Sequence, residues 1–130
     1  MKHALCALGS AALALLVFAP QLRAHHGTSN YELVAQGIPL TGTVTEFVWA
    51  NPHVYILFDV KNDKGAIVHW AGEMNSPGVL KAAGWSKTTL KAGDQVQLTI
   101  RPNKAGTPVG LVSRMSMLIN GKPLQVGPEQ

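Results

Sequence analysis

Two adjacent histidines, His25 and His26, directly follow a hydrophobic leader and are the residues best placed to do chemistry. If the chain is cut after Ala24, His25 becomes the first residue and gains a free α-amino group. Such an amine has a pKa of about 7.7–8.0, so a metal ion can displace its proton near neutral pH. The amine and the His25 Nδ1 would then chelate one metal, and tetragonal nitrogen ligation of this kind favours Cu(II). The sequence therefore predicts a copper ion as cofactor.

The same terminus offers two other modes of binding. The amine, a deprotonated backbone amide and the His26 ring could chelate the metal, and a chain that kept Ala24 would place a histidine third. The plain alternative is that two histidines at a chain terminus are simply solvated and serve no purpose.

Residues 1–24 have the features of a cleavable signal peptide. Lys2 supplies a positive start, an apolar run covers 4–19, and the small residue Ala24 ends the segment. The apolar run is shorter than the roughly 20 residues of a membrane-spanning helix. We therefore expect a periplasmic or secreted protein with no membrane anchor after cleavage.

The composition limits what the remaining 106 of the 130 residues can be. They suffice for one domain with a modest core, and loss of Lys2 and Arg23 lowers the formal charge from +4 to +2. The other lysines and arginines form no run, so no nucleic-acid partner is expected. Cys6, the single cysteine, leaves with the leader. The sequence also lacks a Gly-x-Ser-x-Gly motif and a paired-acid site; enzymatic activity stays open, and a non-enzymatic role is favoured.

A second group of candidate ligands lies around a predicted β-hairpin. The turn at 62–65 centres this hairpin, so His53, which follows Asn51-Pro52, should face Glu73 and Met74. An imidazole beside a carboxylate is a common metal-site pairing. His53 and Glu73 are therefore candidate metal ligands together with His25 and His26. The alternative is that this turn and its histidine are only structural.

Two weaker candidates belong to the same hairpin. His69 lies in the middle of its second strand and should fall opposite Phe58 or Asp59. Met74 follows Glu73 directly and belongs to the region that His53 should face. We therefore expect His69 and Met74 to be weaker candidate metal ligands than His53 and Glu73.

Alternating apolar residues and turn signals predict a mainly β protein. Strands are predicted at 40–50, 53–61, 66–74, 90–102 and 109–121, and Ser76-Pro77 should start one short helix between strands 3 and 4. This order is typical of the OB-fold, so we predict an all-β, five-stranded OB-like β-barrel over 40–130, preceded by an N-terminal extension at 25–39. A two-layer β-sandwich with one helix is the competing fold.

The chain also resembles an uncharacterised family of small exported bacterial proteins, a domain of unknown function. The residues that carry the resemblance are the paired histidines after the leader and the segment from Leu40 to Val44 with Trp49 and Asn51-Pro52-His53. Trp70, Ser76-Pro77, Gly84-Trp85 and the stretch 90–96 extend it over nearly the whole mature chain. Gly27 stands where members often have serine. The resemblance implies export and a small β-domain and implies no reaction.

The sequence is therefore compatible with three functions. The first is a periplasmic carrier or buffering protein for a metal ion, copper above all, with another periplasmic protein as a further partner. The alternative is a module that binds a non-metal ligand or a protein by stacking it on Trp49, Tyr55 and Trp70. Buried tryptophans would favour the first function and a solvent-facing aromatic row the second. A redox enzyme built on a histidine brace is the third.

Overall fold

The computed structural model of the chain describes Tyr31 and residues 37–124. This part forms six strands and one helix: β1 (Ile38–Val48), β2 (Tyr55–Lys61), β3 (Ile67–Glu73), α1 (Pro77–Ala82), β4 (Gln95–Pro102), β5 (Val109–Ile119) and β6 (Lys122–Pro123). The predicted order of three strands, a short helix and two further strands is confirmed. β1 begins at Ile38, two residues before the predicted start, and β4 begins five residues after its predicted start.

The sheet closes on itself to make a barrel. Its strands run in the order β3-β2-β1-β4-β5-β6, and β3 also pairs with β5. That last pairing is parallel, with Ala71 opposite Val109 and Glu73 opposite Leu111, whereas the other strand pairs are antiparallel. Strands β1 to β5 therefore form the predicted OB-like barrel, with one helix between β3 and β4. Closure of the barrel rules out the two-layer sandwich.

Alternation along the strands separates the core from the outer face. In the β2 region Val54, Ile56 and Phe58 are at most 1 % exposed, so the residues between them point out of the barrel. β4 repeats the pattern and buries every second residue. The other buried core residues come from the strands, the helix and the segment between the helix and β4: Val44, Met74, Leu80, Trp85, Leu90, Val96, Leu98, Ile100, Val112 and Met117.

Gly72 in β3 allows the barrel to close tightly. A Cβ atom at this position would lie 2.4 Å from Val112 Cγ2, closer than side chains tolerate. The absence of a side chain therefore lets β3 and β5 approach each other next to Glu73, which fixes the backbone that carries this carboxylate.

The short helix begins as the sequence predicts. The Ser76 hydroxyl accepts a hydrogen bond from the Val79 amide, and Pro77 occupies the first helical position. Leu80 is the helix residue that enters the core, and Trp85 follows it. In the described part of the chain no helix is long and apolar enough to cross a membrane.

Asp94 is the one buried charged residue among those described, with 5 % of its surface exposed. Its carboxylate accepts hydrogen bonds from the Lys91 amide (2.9 Å), the Lys91 ammonium (2.6 Å) and Asn120 Nδ2 (3.0 Å). The bond from Lys91, followed by that from Asn120, holds the pKa of Asp94 below its usual range. This carboxylate therefore ties the turn before β4 to the end of β5.

Candidate functional site

The hairpin of β2 and β3 carries two histidine–carboxylate pairs on the outer face of the barrel. The pairing places Tyr55 opposite Glu73, Leu57 opposite Ala71 and Asp59 opposite His69. Because side chains alternate along a strand, these residues share one face, opposite to the buried Ile56 and Phe58.

His53 and Glu73 form the first pair, at the end of the hairpin far from its turn. His53 lies two residues before β2, yet the ladder continues to it, since Met74 donates its amide to Val54 (2.8 Å) and Val54 donates to Asn75 (3.2 Å). The His53 Nδ1 contacts Glu73 Oε1. The hairpin therefore brings these two side chains together as the sequence predicts. Their role as metal ligands stays a prediction.

Two phenols complete the surroundings of Glu73. The Tyr31 hydroxyl donates a hydrogen bond to Glu73 Oε2, and the Tyr31 backbone forms an antiparallel bridge with Asn103. Burial above all, and then the hydrogen bond to Glu73, raises the pKa of Tyr31 well above its usual range. Burial and the charge of Glu73 likewise raise the pKa of Tyr55. Both phenols are therefore neutral at physiological pH, and Glu73 is the acceptor at the centre of the cluster.

The geometry assigns different parts to the two members of this pair. The Glu73 side chain is only 14 % exposed and that of His53 is 39 % exposed. The His53 ring contacts Glu73 through Nδ1, and among the described residues no hydrogen-bond partner of its Nε2 is found. A carboxylate on one ring nitrogen fixes the tautomer and the orientation of the ring, and the other nitrogen can then bind a metal. Glu73 is thus better placed to orient His53 than to bind a metal itself.

His69 and Asp59 form the second pair, nearer the hairpin turn. His69 Nδ1 lies 2.6 Å from Asp59 Oδ1. The His69 side chain is 82 % exposed and the Asp59 side chain 29 %, so solvent surrounds most of this pair. The register settles the predicted choice between Phe58 and Asp59 in favour of Asp59.

The other predicted site residues are separated. Met74 is 4 % exposed and belongs to the core, so it is turned away from the face that carries Glu73. Trp49 and Trp70 are partly buried and pack against the core, and Trp49 meets Phe47 edge to face at 5.8 Å. Tyr55 belongs to the Glu73 cluster. The three aromatics predicted to stack a ligand therefore form no solvent-facing row.

A metal ion would need ligands beyond those described. Tyr31 and residues 37–124 contain no group of three histidine, cysteine, aspartate or glutamate side chains that could hold one. His25 and His26 lie outside the described residues. Of the two imidazoles on the described hairpin, His53 is the less exposed and has the less exposed carboxylate behind it. Further ligands would have to come from elsewhere in the chain.

Tyr31 is the functional residue that sequence reasoning missed. It lies in the polar lead-in before β1, 42 residues from Glu73, where no periodicity or motif links the two. A single tyrosine in a polar stretch was the available signal, since a buried phenol generally finds a hydrogen-bond partner.

Comparison with known proteins gives one match. The model of DUF6152, a family of unknown function, matches residues 13–114. Searches of the curated proteins and of the solved structures returned no match.

Proposed function

The chain belongs to the DUF6152 family of unknown function, and we propose that it is an exported metal-binding protein that carries or buffers copper. In this proposal His53 Nε2 binds the ion together with the amino-terminal His25 and His26, and Glu73 orients the His53 ring. The observation that carries the proposal is the chain of contacts from Tyr31 through Glu73 to His53.

This chain of contacts supports the proposal because it ties Tyr31 to the less exposed of the two histidine–carboxylate pairs on the described hairpin. Tyr31 and His53 contact the two oxygens of the same carboxylate. Tyr31 lies six positions after His25, and six extended residues span at most about 20–22 Å. The amino terminus therefore has sufficient length to meet His53.

The state of the two phenols supports nitrogen ligation. A tyrosine binds a metal as phenolate, and the raised pKa of Tyr31 and of Tyr55 disfavours that form. The hairpin thus offers an imidazole with a carboxylate behind it, which suits a borderline ion such as Cu(II). The partial burial of Trp49 and Trp70 also agrees with this function rather than with aromatic stacking of a ligand.

The test is a Cu(II) titration of the mature protein, with its amino terminus at His25 verified by mass. His53→Ala should weaken copper binding about 10- to 100-fold, and Glu73→Gln should do so by a similar factor, as is usual for residues that orient a ligand. His25→Ala, or one additional methionine before His25, should weaken it at least as much.

His69→Ala is the matched control, because His69 also pairs with a carboxylate on this face but is far more exposed. It should leave the affinity for copper unchanged. If His53→Ala and His69→Ala change the affinity for copper equally, or if neither substitution changes it, His53 is not a ligand and the proposal fails.

A further inference from the structure

Tyr31 joins the chain that precedes β1 to the barrel at two separate points. Its backbone forms an antiparallel bridge with Asn103, which follows β4 directly. Its hydroxyl donates a hydrogen bond to Glu73 Oε2 at the end of β3. Because β5 lies between β3 and β4 in the closed sheet, this one residue contacts two parts of the barrel that are not direct neighbours.

Asn103 is a firm support for the backbone of Tyr31. Its side-chain oxygen accepts a hydrogen bond from the Thr107 amide (3.1 Å), and its own amide donates to the Val109 carbonyl (2.9 Å). These two bonds close the loop between β4 and β5. Val109 is also the first residue of β5 to pair with β3. The two parts of the barrel that Tyr31 contacts are therefore linked to each other through β5.

The Tyr31 hydroxyl lies one carboxylate away from the His53 imidazole. Glu73 presents one oxygen to the Tyr31 hydroxyl and the other to His53 Nδ1. The point at which the chain before β1 meets the hairpin is thus the point at which the hairpin holds its less exposed histidine. Attachment at Tyr31 confines His25, six positions earlier, to the surroundings of His53. Confinement of this kind raises the effective concentration of a ligand group without a new contact.

Attachment at Tyr31 also shortens the tether of the amino terminus. His25 lies six positions before Tyr31 but 13 positions before Ile38, where β1 begins. Release at Tyr31 would therefore about double the length of chain between His25 and the barrel. The effective concentration of a tethered group falls roughly as the −3/2 power of the tether length, so this release would lower it about threefold through length alone.

From these contacts we propose that Tyr31 is a positioning residue of the metal site and decides which ligands share the copper ion. With Tyr31 attached to Glu73, the amino-terminal histidines and His53 bind one ion together. With this attachment lost, the ion stays on the amino-terminal nitrogens alone. The inference rests on the proposed copper function, and it assigns to Tyr31 no contact with the metal: the hydroxyl acts through Glu73 and through the chain that it holds.

Tyr31→Phe tests this role by removal of the hydroxyl alone. In a Cu(II) titration of the mature protein, with His25 verified as its first residue, this variant should bind copper about three- to tenfold more weakly than the unaltered protein. Tyr55→Phe is the matched comparison, because it removes a phenol beside the same carboxylate from a residue inside the hairpin. Since it leaves the tether of the amino terminus unchanged, it should weaken binding less than about twofold.

The set of ligands gives a second measurement, which a loss of stability alone would not change. Bound Cu(II) is paramagnetic and broadens the NMR signals of nuclei close to it. With one equivalent of copper, the amide signals of His53 and Val54 should broaden in the unaltered protein and in Tyr55→Phe. The same signals should stay sharp in Tyr31→Phe, because copper then remains on the amino terminus.

The His53→Ala background separates positioning from stability. A residue that brings the amino terminus to His53 has no effect on copper binding once the His53 imidazole is absent. The double variant of Tyr31→Phe and His53→Ala should therefore bind copper within about twofold of His53→Ala alone, a non-additive result that is expected of residues that act together.

Equal copper affinity of Tyr31→Phe and the unaltered protein overturns the positioning role, and so does an equal loss in Tyr55→Phe. A loss that persists in full in the His53→Ala background overturns it as well. These three outcomes leave the copper function intact as long as His53→Ala weakens binding. If the unaltered protein binds no copper, or if His53→Ala binds copper equally well, the copper function fails and the positioning role fails with it.

Discussion

His53 and His69 lie on the same face of one hairpin, and each presents Nδ1 to a carboxylate. Their surroundings differ. Glu73 also accepts a hydrogen bond from Tyr31 and has Tyr55 beside it, and it is 14 % exposed, whereas Asp59 is 29 % exposed and pairs with a histidine that is 82 % exposed. An exposed pair gains little because water and salt screen it and both side chains lose rotamer freedom. The groups that surround the carboxylate, rather than the histidine–carboxylate contact itself, therefore distinguish the two pairs.

Removal of the carboxylate should give the largest difference in stability between the two pairs. Glu73→Ala leaves His53 and two part-buried phenols without their shared acceptor and should lower the free energy of unfolding by about 2–3 kcal/mol. Asp59→Ala should change it by less than about 0.5 kcal/mol. Urea unfolding of both variants measures the difference, and equal losses would show that the shell around Glu73 contributes nothing.

The residue pairs of the β2–β3 hairpin could be predicted from the sequence. The turn at 62–65 and the alternation of β2 and β3 are local signals, and they suffice to bring His53 to Glu73 and His69 to Asp59. These signals specify the register strongly, because a shift of one residue would turn every apolar side chain of β2 outward.

The shell of donors could not be predicted in this way. Tyr31 reaches Glu73 from outside the hairpin, through a contact that depends on the bridge between Tyr31 and Asn103. Closure of the barrel beside Glu73 likewise depends on a non-local pairing of β3 with β5. Neither of these two contacts produces a periodic pattern in the sequence. Local pattern therefore predicts which groups meet, and tertiary structure decides how firmly they are held.

Asp94 tests the same effect independently, because its carboxylate accepts several hydrogen bonds but pairs with no histidine among the described residues. Asp94→Ala removes the acceptor of Lys91 and Asn120 and should cost about 2 kcal/mol at neutral pH. Since the pKa of Asp94 is lowered in the folded state, its contribution is present above the unfolded pKa of about 3.9 and is lost as pH falls through the folded value.

Denaturant unfolding between neutral and acidic pH follows this contribution. The difference between Asp94→Ala and the unaltered protein should shrink below about pH 4. A difference that stays constant down to acid denaturation would mean that the charge of Asp94 adds nothing to the stability of the fold.

Tyr31→Phe tests one member of the Glu73 shell and should have a smaller effect, about 1 kcal/mol, because a single hydrogen bond is lost. The pKa of Tyr31 is raised in the folded state. Its contribution is therefore complete below the unfolded pKa of about 10 and is lost as pH rises through the folded value. The difference between variant and unaltered protein should accordingly vanish at strongly alkaline pH. A difference independent of pH would indicate lost packing instead.

The smallest effect concerns the exposed pair and its response to salt. A double-mutant cycle of His69→Ala and Asp59→Ala at about pH 6, where imidazoles generally carry a proton, should give a coupling near 0.5 kcal/mol at low salt. At 1 M salt the screening length falls to about 3 Å, so this coupling should approach zero. The same cycle on His53 and Glu73 should retain most of its coupling, because the carboxylate is largely shielded from solvent. If both couplings fall by the same fraction, the two pairs are equally solvated, and the shell around Glu73 does not distinguish a built site from a surface contact.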